Sequence, residues 1–117
     1  LVSFGARLAT AKPTENDIGG REYNIEVLRY RDGSPDAYQK YVAEGETQMR
    51  AYGFEVEYAV VVDEHEGVEL RPDLVKISYF PTSYAKAEFE RDPLHAKIEN
   101  ELYPAATDDV IWISGRC

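Results

Sequence analysis

Apolar and polar residues alternate along this chain with two periods, one of strands and one of helices. From Tyr23 the chain reads as a strand, because Tyr23, Ile25 and Val27 alternate with Asn24, Glu26 and Leu28. Ser34-Pro35 then supplies an N-cap followed by Pro at the first helical position, where its missing N–H costs nothing. Tyr38, Val42, Gly45, Met49 and Tyr52 recur at spacings of four and three, which places them on one helical stripe. Gly53 ends that helix, and a second strand is predicted over 54–63. Residues 64–72, with Gly67 and Pro72, read as a connection.

The second half repeats the first. A strand is predicted over 74–80, a short helix opened by Pro81-Thr82-Ser83 runs through Arg91, and Asp92-Pro93 caps another helix along Leu94, Ile98 and Leu102. Tyr103-Pro104 ends it, and the last strand falls over 110–114. Strand, helix, strand, strand, helix, strand is the split β-α-β order of a ferredoxin-like antiparallel sheet, an α+β fold with its helices on one face. Residues 1–22 are read as an N-terminal arm with a turn-rich loop, and residues 23–117 as the folded domain.

Sorting the strands by parity sends the more apolar sets, including Ile25, Val27, Tyr58, Val75, Ile77 and Tyr79, towards the helices. The uncovered face then receives Glu26, Leu28, Tyr30, Glu57, Lys76 and Phe80, and Trp112 is placed with them. A surface so mixed is expected to meet a second copy of the chain, making those six residues the predicted dimer interface. A solvated sheet face is the plainer alternative.

Charge narrows the partners. Thirteen Lys and Arg against 22 Asp and Glu give a net charge of -9, which repels nucleic acid and anionic lipid. No apolar run approaches the roughly 20 residues of a membrane span. The single cysteine, Cys117, cannot pair within the chain, and a reducing cytoplasm is the expected location.

Two histidines limit imidazole chemistry to His65 and His95. His65 lies in an acidic stretch without metal-site spacing and reads as a solvated loop residue. His95, in the first turn of its helix, is the candidate general base. The plainer reading pairs it with Glu99 one turn later. Of the nine tyrosines, Tyr41, Tyr58 and Tyr79 are expected to line a cavity between sheet and helix, with Trp112 as a further ligand contact. Ordinary core filling by these rings is the alternative.

Residues 75–83 (Val-Lys-Ile-Ser-Tyr-Phe-Pro-Thr-Ser), Ala87, Phe89, Asp92-Pro93-Leu94-His95 and Ala105-Ala106 resemble domain of unknown function family 1330. So does the strand leading to Pro35-Asp36-Ala37-Tyr38 and Tyr41; the likeness spans 23–115. Glu99, Asn100 and Glu101 stand near where that family often carries a basic residue. The resemblance implies the dimeric α+β barrel superfamily, which contains polyketide cyclases, cofactor-free monooxygenases, lactone isomerases and haem-degrading enzymes. The leading expectation is therefore a homodimer that binds a small aromatic or polyketide-like molecule. It would act without a cofactor as a cyclase, isomerase or monooxygenase through His95. A non-catalytic homodimeric interaction module is the alternative, and haem or metal held by His95 is a third reading.

Overall fold

The computed structural model describes residues 20–67 and 69–116. Most of the expected arm, residues 1–19, and Cys117 lie outside the described residues.

Four strands form one antiparallel sheet: β1 (Glu22–Tyr30), β2 (Glu55–Val61), β3 (Leu74–Phe80) and β4 (Thr107–Arg116), in the order β2-β3-β1-β4. Between β1 and β2 runs α1, residues 36–52, and between β3 and β4 run α2 (Ser83–Glu90) and α3, residues 93–106. This is the ferredoxin-like arrangement that the element order predicts.

Local chemistry explains the boundaries. Thr82 Oγ1 accepts from the Ala85 amide at 2.9 Å and caps α2, and Asp92 Oδ1 accepts from the Leu94 amide at 2.9 Å and caps α3. Helix α1 stops at Gly53, whose φ of 85° is cheap only for glycine. Both long helices carry a π-helical turn, Val42–Glu46 in α1 and Ile98–Leu102 in α3. The turns pack together: a Cβ on Gly45 would sit 3.2 Å from Ile98 Cδ1, so glycine permits the approach. The predicted stripe is the buried one, with Tyr38, Gly45 and Met49 hidden and Val42 and Tyr52 packed at its margin.

The strand registers decide the faces. Glu26 is the partner of Lys76 on β3 and of Trp112 on β4, and Leu28 is the partner of Leu74. Leu28, Phe54, Leu74 and Phe80 pack with Tyr38, Tyr41, Met49, Phe89, Ile98 and Leu102 in one core, so the even-numbered residues of β1 and β3 point at the helices. The parity assignment is therefore inverted. Glu26, Leu28, Lys76 and Phe80 are buried within the chain, and Tyr30 packs half-buried against the same core, so none of the five belongs to an open sheet face. Of the predicted interface only Glu57 lies on the other side, where a register shift between Val56 and Tyr58 turns it towards Tyr23 and Arg21. Trp112 also lies on the helix side.

The face away from the helices carries Ile25, Val27, Val75, Ile77, Tyr79, Ile111 and Ile113; Ile25 and Tyr79 on it are buried, whereas its margins are open. Tyr58, Val60 and Ile111 there are 61%, 53% and 46% exposed. The reason for the inversion is physical. Parity sorting sends the greasier row towards the helices, but here the helix-facing row includes a polar cluster and the greasier row lies on the opposite face.

Candidate functional site

Beneath the helices sits a buried group of charges. Glu26, Glu46 and Lys76 are 1%, 2% and 3% exposed. Lys76, on the middle of β3, reaches the carboxylate of Glu46 from the π-turn of α1 and donates to the hydroxyl of Tyr38, while its Nζ lies 3.9 Å from Glu26 Oε1. Tyr103 of α3 donates to Glu26 Oε2 at 2.6 Å. Lys76 also lies over the rings of Tyr38 and Tyr41, 4.8 and 5.5 Å from their centroids.

One ammonium thus serves two carboxylates. Desolvation dominates at Glu26 and pushes its carboxyl above the ordinary range, against the opposing pull of Lys76 and the Tyr103 hydroxyl. Burial and the charges of Glu26 and Glu46 push Tyr38, Tyr41 and Tyr103 far upwards, so these phenols act as neutral hydroxyls. Two residues along β3 from Lys76, Ser78 Oγ is buried with no hydrogen-bond partner among the described residues.

A cavity of about 560 Å³ opens beside this group, between the sheet and the helices. Met49, Phe54, Phe80, Phe89 and Ile98 form its apolar walls, and Asn24 and Glu26 supply polar atoms from β1. Tyr41, Tyr103 and Trp112 make a continuous aromatic arc: ring centroids are 5.0 Å apart for Tyr41 and Tyr103 and 6.0 Å for Tyr103 and Trp112, both edge to face. Lys86, Glu90, Glu99 and Asn100 surround the cavity with polar groups.

His95 lines the same cavity, with its ring edge to face against Phe89 at 5.4 Å and its Nε2 3.3 Å from Glu99 Oε1. The His95 imidazole thus contacts both the cavity and Glu99. Tyr41 and Trp112 join it. Tyr58 and Tyr79 do not: both lie on the face away from the helices, where Tyr58 is exposed and Tyr79, buried, donates to Glu55 Oε2 at 2.6 Å. His65 is exposed in the connection after β2, with Arg71 Nη1 3.3 Å from its Nδ1.

Sequence reading did not single out Asn24, Glu46 or Tyr103. Glu46 left a readable signal, because it stands four residues after Val42 and three before Met49, on the apolar stripe itself. A carboxylate in such a row calls for a buried partner.

No family model matches the chain, and no curated protein matches it in sequence. Membership of family 1330 is thus a resemblance only. Among solved structures the chain is similar to a protein of unknown function from Rhodopseudomonas palustris. The two share 21% identity and a TM-score of 0.70, over 91% of this chain and 95% of that one. It is also similar to a dabb family protein with a ferredoxin-like fold from Mesorhizobium loti, at 11% identity and a TM-score of 0.59, over 81% and 94% of the two chains. A third likeness is to a dimeric protein of unknown function with a ferredoxin-like fold from Bacteroides fragilis, at 10% identity and a TM-score of 0.50, over 83% and 96%. At such identities the likeness establishes a ferredoxin-like α+β fold and nothing finer.

Proposed function

We propose that the chain binds a small, mainly aromatic molecule in the cavity between sheet and helices, and that His95 exchanges a proton with it without a cofactor. The observation that carries this reading is the joint placement of His95, Tyr41, Tyr103 and Trp112 around one space of about 560 Å³, within the range of small-ligand sites. An imidazole exchanges protons near neutral pH, and neutral tyrosine hydroxyls orient a carbonyl or hydroxyl oxygen. Isomerisation or cyclisation of an enolisable aromatic or polyketide-like compound needs that combination.

The test is exchange of the α-protons of an aromatic ketone in deuterated buffer, followed by NMR. Exchange above the buffer rate that His95→Gln abolishes supports the proposal. A wild-type rate equal to buffer removes the catalytic part. If, in addition, no aromatic compound alters the emission of Trp112, the binding part falls too.

A second reading, self-association, is favoured by the apolar open face. Val27, Val75, Ile77, Ile111 and Ile113 form a row that no described helix crosses, and a second sheet is a fitting cover for it. Sedimentation of a dimer that Ile111→Asp converts to monomer is the expected result. A wild-type monomer at micromolar concentration overturns it.

A further inference from the structure

Glu26 is the residue whose environment the reading above leaves unused. It is buried, it lines the cavity, and the one ammonium near it lies 3.9 Å away while making its closest contact with Glu46. Among the described residues, only one side-chain hydrogen bond reaches its carboxyl, that of Tyr103 to Oε2. A carboxylate accepts about four, so Glu26, which lines the cavity, keeps unused acceptor capacity. With both carboxyls ionised, the single ammonium leaves the set one positive charge short, and burial makes such an imbalance costly, which favours a proton on Glu26 until a cation arrives.

We infer that the cavity selects an organic cation, a protonated amine on an apolar or aromatic body, whose ammonium pairs with Glu26 within the arc of Tyr41, Tyr103 and Trp112. This rests on the reading of the cavity as a ligand site and names the class of ligand. An incoming ammonium completes the charge set, and the face of an aromatic ring in the arc would add a cation–π contact. The apolar walls of Phe54, Phe80, Phe89 and Ile98 then take the body. Anions are disfavoured, because Glu26, Glu90 and Glu99 line the space against Lys86 and His95, and the whole chain carries -9. A neutral ligand leaves the imbalance where it was.

Proton linkage gives the inference a second signature. Desolvation holds a proton on Glu26 in the free protein to higher pH than usual, so binding an ammonium expels it. The groups that face Glu26 are Lys76 from β3, Glu46, Tyr38 and Tyr41 from α1, and Tyr103 from α3. His95, Lys86, Glu90 and Glu99 are the other titratable groups that line the same cavity. Amine affinity is therefore expected to rise with pH until the amine itself loses its charge.

Three probes that share one body test this: 2-phenylethylamine, 2-phenylethanol and phenylacetate, titrated into the full chain and followed by calorimetry. Trp112, the only tryptophan, gives a second readout by its emission. The amine is expected to bind about tenfold or more tighter than the alcohol, as one charge-assisted hydrogen bond requires, with the acid weakest. Its binding enthalpy should depend on the ionisation enthalpy of the buffer, through the released proton. Glu26→Gln should bring the amine to the affinity of the alcohol and leave the alcohol unchanged. If that variant does not fold, the ranking and the proton release in the wild type decide alone. Equal or tighter binding of alcohol or acid overturns the cation, while the cavity stands as a ligand site. Silence from all three overturns both.

Discussion

Glu26 and Lys76 are register partners across β1 and β3, and their side chains stay 3.9 Å apart although both are buried. The lysine instead makes its closest contact with Glu46 of α1, so a sheet charge is neutralised by a helix charge. The helix is thereby fixed to the sheet by an ion pair where most of its contacts are apolar.

Removing the lysine should therefore be severe. Lys76→Met leaves two buried carboxylates without a cation, and a loss of about 3–5 kcal/mol in urea unfolding is expected. Adding Glu46→Gln should return part of that loss, because the uncompensated charge falls. A double variant no more stable than the single one contradicts the pairing.

The raised Glu26 carboxyl has a definite sign in the pH dependence of stability. Above the ordinary value of 4.5 the unfolded chain has released this proton while the folded one retains it. Stability contributed by the group is thus complete below that value and declines as pH rises through the folded titration. Glu26→Gln should flatten the decline, measured by chemical denaturation from pH 4 upwards. An unchanged slope contradicts the assignment.

Ser78 offers the opposite test. Its buried hydroxyl lacks a partner among the described residues, so Ser78→Ala is expected to leave the fold intact and raise stability by about 0.5–1 kcal/mol. A loss of stability would reveal a partner for Oγ.

Gly53 ends α1 with φ of 85°, and a Cβ there would meet Pro81 Cγ at 2.6 Å. Strain and collision add, so Gly53→Ala should cost more than the roughly 1 kcal/mol of left-handed strain alone. Gly33, at φ 70° with open space around it, should cost only the strain. Thermal melting of the two variants checks the difference.

Much of this architecture was legible in the residues, because local rules govern it. Strand β3 falls over 74–80 as predicted, and Thr82, Asp92-Pro93 and Gly53 bound their helices for the reasons the sequence suggests. The face assignment is inverted, and two of the five candidate cavity residues lie elsewhere for that reason. Alternation states that two rows differ; it does not state which row meets the helices. Tyr58 and Tyr79 followed the greasier row to the face away from the helices. Tyr41 and His95 sit on helices, whose buried stripes are marked by caps and spacing, and both reached the cavity.

The cavity is walled by both halves of the chain, with Met49 from the first and Phe89, Ile98 and Trp112 from the second. Whatever fills it becomes a strut between them, so occupancy and melting report on each other. At a hundredfold excess over its Kd, a ligand adds about 2.7 kcal/mol to the unfolding free energy, enough to rank a chemical library by melting temperature before any reaction is known.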